Sequence, residues 1–214
     1  MTDAPGAWQG RLDRADLRQH NAPRDPMPLF DAWLSAAQAA DIIEPTAMTL
    51  ATIDPDGTPS ARTVLLKGHG IDGFRFYSNY NSRKGRALAA HPVAALVFWW
   101  EQLERQVRVT GTVEKLAAAE SDAYYHKRSR GSRLGAHASP QSRVMSNRAE
   151  LEAHVAAAER RFPTDTIPRP AHWGGYRLLP HSIEFWQARR SRLHDRLRYR
   201  RMDDGTWTLE RLAP

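Results

Sequence analysis

The chain has 214 residues, 41% of them hydrophobic and 26% charged, which suits a folded domain with one sizeable core rather than a disordered chain. It holds no cysteine, so disulfides, thiolate nucleophiles and cysteine-based metal sites are excluded and no metal site is expected. A net charge of +7 leaves three readings open: nucleic acid as partner, phosphorylated small molecules as partners, or solubility alone.

In chain order, residues 1–24 show weak periodicity and are expected to form a flexible N-terminal arm. The first residues have neither the basic start nor the apolar stretch of a signal peptide. The longest apolar run, residues 93–100, is far short of the about 20 residues a membrane helix needs. A cytoplasmic protein with no membrane association is therefore expected. From residue 29 to 43 the positions Leu29, Phe30, Trp33, Leu34 and Ala37 recur at helical spacing. Residues 47–53 predict a strand, Asp54-Pro55-Asp56-Gly57 a turn, and residues 61–67 the returning strand. Residues 68–73 read as a further turn region before a strand over 74–78. Ser82 is placed to cap a short helix reaching Ala90. Residues 93–100 and 106–114 predict a long hairpin, with helices over 117–127 and 147–162. After a connector at 163–170, strands return from Gly174 and end at 207–212. Strands interrupted by a few helices predict a mainly β fold with α additions, antiparallel and closed or partly closed as a barrel, over a single domain at 25–214. No Gly-x-Gly-x-x-Gly or Walker-type loop is present, which argues against those nucleotide sites.

The basic residues are clustered. Lys127, Arg128, Arg130 and Arg133 fall within seven residues, and residues 189–201 hold seven arginines. Read as a strand, Arg192-Leu193-His194-Asp195-Arg196 puts Arg192, His194 and Arg196 on one face, where an anionic ligand would justify them. A solvated basic edge strand is the alternative. Arg83 and Lys84 sit in the first turn of the helix capped by Ser82, where a bound phosphate would offset cations that the helix dipole disfavours. Two solvated side chains are the plainer alternative. Strict alternation sends Arg62 and Lys67 to opposite faces of their strand and so to different ligands, unless a twist or the long lysine stem brings both to one. Gln106 is a weak candidate for a polar ring edge. Tyr124, Arg128 and Ser132 would align on a continuous helix, but Gly131 predicts a break there.

Taken together, these pieces resemble the pyridoxamine (pyridoxine) 5′-phosphate oxidase family. The blocks that carry the resemblance are Arg62-Thr-Val-Leu-Leu-Lys67, Phe76-Tyr-Ser78, Ser82-Arg-Lys84, Leu103-Glu-Arg-Gln-Val107, Gln141-Ser142, Trp173-Gly-Gly175, Ile183-Glu-Phe-Trp-Gln187, Arg192-Leu-His-Asp-Arg196 and Glu210-Arg-Leu-Ala-Pro214. They follow the family's order over residues 25–214. The resemblance implies a homodimer of split β-barrels with FMN held at the subunit interface. It assigns Arg62, Thr63, Val64, Leu65, Leu66, Lys67, Tyr77, Ser78, Arg83, Lys84, Gln106, Gln141, Ser142, Trp186 and Arg196 to FMN. Lys67, Tyr124, Arg128 and Ser132 match residues holding the substrate phosphate, with Arg192, Leu193 and His194 beside the pyridine ring. Arg192 and His194 are the implied catalytic pair. The implied reaction oxidises pyridoxamine or pyridoxine 5′-phosphate to pyridoxal 5′-phosphate, with O2 as acceptor, H2O2 as product, and NH3 released from the amine. The flavin would carry the redox step while the protein positions the substrate.

Two departures from the family pattern stand out. Gln9-Gly10-Arg11-Leu12 lacks the tyrosine of the family's arm, and Ala188-Arg189-Arg190-Ser191 replaces a Gly-Gly-Glu segment. Arg189 and Arg190, outside the matched blocks, are expected to belong to the general basic surface and to matter little. Three alternatives compete: a related flavin oxidase acting on a phenazine precursor, a non-enzymatic binder of flavin or pyridoxal phosphate, and a nucleic-acid-binding protein. Lys67, Tyr124, Arg128 and His194 argue against the first, and the last predicts steep salt dependence and no chromophore.

Overall fold

The computed structural model describes residues 17–214. The helices are α1 (Pro26–Ala39), α2 (Arg83–Ala90), α3 (Ala118–His126), α4 (Arg130–Ala138) and α5 (Arg148–Arg161). The strands are β1 (Ala47–Ile53), β2 (Pro59–Leu65), β3 (Gly68–Gly70), β4 (Gly73–Asn79), β5 (Val93–Trp100), β6 (Arg105–Lys115), β7 (Trp173–Gln187), β8 (Asp195–Arg201) and β9 (Trp207–Arg211). They pair in the order β2-β1-β5-β6-β7-β4-β3, with β8 on β7 and β9 on β8. Pairings β3–β4, β4–β7, β7–β8 and β8–β9 are antiparallel, giving a mainly antiparallel β protein with a few helices.

The chain divides into two compact units. One comprises the described residues up to Leu50 with Ala95–Gly111 and Pro180–Pro214; the other comprises Ala51–Ala94 and Thr112–Leu179. In the first unit α1 begins one turn before the periodicity indicated, because Asp25 caps it by accepting from the Met27 N–H at 2.7 Å and Pro26 opens the helix. The buried face of α1 presents Phe30 edge-on to Phe98 at 5.3 Å and Trp33 edge-on to Phe185 at 5.2 Å. Burial of each such ring stabilises the unit by roughly 1.5–3 kcal/mol. Within the stretch expected as an arm, residues 1–16 lie outside the described residues. Leu17 is buried, and the Pro23 carbonyl accepts from the Tyr199 hydroxyl at 2.9 Å.

In the second unit Phe74 and Phe76 of β4 are fully buried, and Phe76 stacks on Tyr176 of β7 at 5.3 Å. The register opposes Tyr77 to Gly175. A Cβ at Gly175 would fall 2.8 Å from the Tyr77 ring and 2.5 Å from Leu116, so glycine is required by close approach. Between α3 and α4 the break falls at residues 127–129 rather than at Gly131, which lies inside α4. Ser129 caps α4 by accepting from the Ser132 N–H at 3.3 Å, and Leu134 and Ala138 pack on Ala158 and Ile167. Sequence periodicity gave no sign of this helix. The turn region at residues 68–73 contains β3, paired with β4.

Candidate active site

The second unit holds a cavity of about 580 Å³ lined by Arg62, Thr63, Val64, Leu65, Lys67, Tyr77, Ser78, Lys84, Tyr124, Arg128, Ser132, Gln141 and Trp173. All but Trp173 are residues singled out in the sequence. Of the two readings left open for Arg62 and Lys67, the shared one holds: β2 ends at Leu65, so strict alternation does not govern Lys67. Leu66 turns into the core at 4% exposure, and both cations line the cavity. Tyr124, Arg128 and Ser132 also meet there, although they come from two helices and the segment between them.

No carboxylate is among the residues lining this cavity, while four cations are. Arg62 donates to the Thr52 hydroxyl at 2.7 Å and to the Ser60 hydroxyl at 2.6 Å. Lys84 Nζ donates to Gln141 Oε1 at 2.9 Å, and Ser78 Oγ donates to the same oxygen at 3.4 Å. Burial, reinforced by the nearby Arg62 charge, pushes the Lys84 pKa down. Arg128 lies over the Trp173 ring at 4.5 Å, and its Nη1 is buried without a hydrogen-bond partner. Burial lowers its pKa too, against the pull of Tyr124 and Tyr125. Lys84 and Arg128 are desolvated with no carboxylate in the cavity lining, a costly arrangement that fits an anion supplied from outside. Tyr77, Tyr124 and Trp173 form a parallel aromatic group, with Tyr77 and Tyr124 stacked at 3.8 Å and 12°. Trp173 was visible in the sequence only as part of the Trp173-Gly-Gly175 block.

Ser82 caps α2 as expected, accepting from the Gly85 N–H at 3.3 Å. Arg83 does not line the cavity: its Nε donates to Asp54 Oδ2 at 2.7 Å. Ser142 is exposed with a φ of 70°.

The remaining candidates, Gln106, Trp186, Arg192, Leu193, His194 and Arg196, belong to the first unit. Gln106 is half-buried on β6. The reading of 192–196 as one strand needs correction. β8 begins only at Asp195, and Arg190–Arg192 forms a tight turn in which Ser191 and Arg192 have φ values of 56° and 60°. Alternation therefore does not put Arg192 and His194 on a strand face, and Leu193 is 68% exposed while Leu197 is fully buried. Trp186 nonetheless meets His194, with ring centroids 4.5 Å apart. Arg196 donates to Glu184 Oε1 at 2.8 Å and to the Ala213 carbonyl at 2.9 Å. Arg189 is not open surface either, since its side chain is 14% exposed and paired with Asp195 at 2.6 Å. His194 has its pKa lowered by burial and by Arg192.

A cavity lined by four cations and no carboxylate beside stacked rings, set on an antiparallel sheet, is chemically suited to an anionic ligand that carries a ring. Comparison with known proteins makes the class specific. Residues 34–162 match the family described as Pyridoxamine 5′-phosphate oxidase, and residues 173–214 match the Pyridoxine 5′-phosphate oxidase C-terminal dimerisation region. The chain belongs to the pyridoxamine 5′-phosphate oxidase family. It is 57% identical over 203 residues to the pyridoxine/pyridoxamine 5′-phosphate oxidase of Salinibacter ruber, covering 94% of each chain. To that of Pseudomonas paraeruginosa it is 56% identical over 216 aligned positions, covering 100% of each. Among solved structures, PhzG from Burkholderia lata in complex with tetrahydrophenazine-1-carboxylic acid superposes with a TM-score of 0.88 at 34% identity, covering 96% of this chain and 100% of that one. An FMN-binding protein from Nostoc punctiforme shares the fold, with a TM-score of 0.72 at 19% identity over 90% of this chain and 100% of that one.

Proposed function

We propose that this protein is an FMN-dependent oxidase converting pyridoxamine or pyridoxine 5′-phosphate to pyridoxal 5′-phosphate. O2 would be the acceptor and H2O2 a product, with NH3 released from the amine. The observation that carries the reading is the cavity whose lining residues include Arg62, Lys67, Lys84 and Arg128 but no carboxylate, and in which Arg128 Nη1 is buried unpartnered. Two phosphorylated ligands, cofactor and substrate, are what such a cation set would neutralise.

The residues present fit the flavin phosphate. Lys84 is held by the Gln141 amide oxygen at the cavity wall, where its charge can meet an anion, and Arg62 is fixed beside it by the Thr52 and Ser60 hydroxyls. In this reading residues 62–67, Tyr77, Ser78, Arg83, Lys84, Gln141 and Ser142 hold FMN, with Gln106, Trp186 and Arg196 completing its site. When bound, the flavin supplies a two-electron acceptor that O2 can reoxidise. Lys67, Tyr124, Arg128 and Ser132 hold the substrate phosphate; binding energy gained there fixes the position of the distant reacting carbon. Arg192, Leu193 and His194 flank the pyridine ring, and Trp186 backs the His194 ring at 4.5 Å. Residues 25–214 are proposed to work as one split-barrel domain, paired as a homodimer with FMN at the subunit interface. The match of residues 173–214 to a dimerisation region supports pairing. Charged ligands of this kind stay in the compartment where they are made, which favours the cytoplasm.

The likeness to PhzG supports a second reading, oxidation of a phenazine-type acid. That substrate has no phosphate for Lys67 and Arg128. Identity supports the first reading: the chain is 56% identical to the pyridoxine/pyridoxamine 5′-phosphate oxidase of Burkholderia lata, against 34% to PhzG of the same species. Anaerobic addition of pyridoxamine phosphate to the yellow holoprotein should bleach the flavin absorbance. Flavin that stays oxidised there, but bleaches with tetrahydrophenazine-1-carboxylic acid, would transfer the assignment.

A further inference from the structure

Arg189 Nε donates to Asp195 Oδ2 at 2.6 Å, and Asp195 Oδ1 accepts from Arg211 Nη1 at 2.8 Å. Arg211 also donates through Nη2 to the Leu17 carbonyl at 2.8 Å. Since Asp195 is the first residue of β8 and Ala188 donates its N–H to the Glu104 carbonyl at 3.0 Å, both ends of the loop over residues 189–194 are anchored. Inside it, the Leu193 N–H closes the turn on the Arg190 carbonyl at 3.1 Å, with Ser191 and Arg192 left-handed. Left-handed backbone at non-glycine residues persists only where surrounding contacts enforce it. The turn brings the Arg189 backbone N–H to 3.1 Å from His194 Nδ1.

A peptide N–H can only donate. Nδ1 of His194 is therefore the acceptor, with an unprotonated lone pair, and in the neutral ring the proton sits on Nε2. Nδ1 cannot take up a proton without breaking this bond.

We infer that Arg189 is a positioning residue: clamped by Asp195, it holds the backbone amide that locks His194 as the Nε2–H tautomer, so that His194 offers substrate a hydrogen-bond donor and does not accept its proton. The group it would meet is an oxygen or nitrogen lone pair on a ring substituent. Substrate identity here rests on the proposed oxidase activity; the tautomer depends on the loop alone. Arg189, a side chain foreign to the family's Gly-Gly-Glu pattern, thus takes part in setting the site.

Selective ¹⁵N-histidine labelling of the flavin-loaded protein tests the inference, with the His194 signals identified by their loss in His194→Gln or, should that variant not fold, in His194→Asn. The expected result at pH 8 is an unprotonated, pyridine-type Nδ1 and a protonated, pyrrole-type Nε2. In Arg189→Ala the two tautomers should exchange, the two nitrogen signals should converge, and kcat/KM should fall about tenfold, as for loss of one well-placed hydrogen bond. Arg189→Lys, still able to reach Asp195, should restore part of both. His194→Gln, whose amide N–H lies near the Nε2 position, should keep more activity than His194→Asn. A protonated Nδ1 in the unaltered protein, or a tautomer unchanged in Arg189→Ala, would overturn the inference. The nitrogen signals are read without substrate, so failure of the oxidase assignment would show separately, as absent turnover.

Discussion

The cavity wall and the β7–β8–β9 strands are both rich in cations, and they treat them in opposite ways. Along the C-terminal strands arginines meet internal acids: Arg196 and Arg108 on Glu184, Arg189 and Arg211 on Asp195, Arg198 and Arg200 on Glu210. In the cavity Arg62 bonds to hydroxyls, Lys84 to an amide oxygen and Arg128 lies over a ring; no acid is among the lining residues, although Asp54 acts on Arg62 from outside them. A count of basic residues cannot separate these cases. Arginines paired to acids are held in place by the fold, whereas Lys84 and Arg128, desolvated with no acid in the cavity lining, mark where a ligand's charge is expected.

The contrast breaks if substitutions in the two regions behave alike. Arg128→Ala should lower kcat/KM for pyridoxamine phosphate about a hundredfold, the worth of a charge-assisted bond to phosphate. Its melting temperature should change little, because packing lost over Trp173 is offset by removing an unpartnered buried nitrogen. Glu184→Ala should act first on stability, and on activity only through the flavin affinity that Arg196 would support. Glu184 is 7% exposed, and losing it strands Arg196 and Arg108; partial rehydration of those arginines limits the destabilisation to about 2 kcal/mol, read as a lower denaturant midpoint.

A pH titration sharpens the same point. Burial alone would raise the Asp195 pKa, but bonds from Arg211 and Arg189 hold it below the ordinary carboxylate value. The folded pKa lies below the unfolded one, so this residue's contribution is present above about pH 4 and is lost as pH falls further. Thermal melts of Asp195→Asn should therefore show a shallower acid-side decline than the unaltered protein. The smallest effect is expected at Arg198→Ala: exposed pairs contribute little, and its melting curve should overlay the parent's.

Much of the fold was written locally. Local residue pattern places β1 and β5 at the residues observed, and the cap at Ser82 needs only its own neighbours. α4 was not legible, because Gly131 and Gly135 depress its helical propensity and packing of Leu134 and Ala138 on Ala158 and Ile167 holds it instead. Nor could the turn at Ser191 and Arg192 be read, since neither residue type announces positive φ. Of the site, the family resemblance assigned twelve of the thirteen cavity-lining residues, all but Trp173. The pairing of Arg83 with Asp54, 29 positions apart, and of Arg189 with Asp195 depends on how the chain returns on itself.

The left-handed pair at Ser191 and Arg192 has an evolutionary consequence. Ser191→Gly would relieve steric strain of about 1 kcal/mol, yet glycine also widens the loop's range of unfolded and alternative conformations. A screen for heat resistance and a screen for turnover would then rank substitutions at this position differently. Sequence drift there would be governed by the balance between an ordered loop and a relaxed one, so the segment where this chain leaves its family's pattern is one where robustness and catalysis compete.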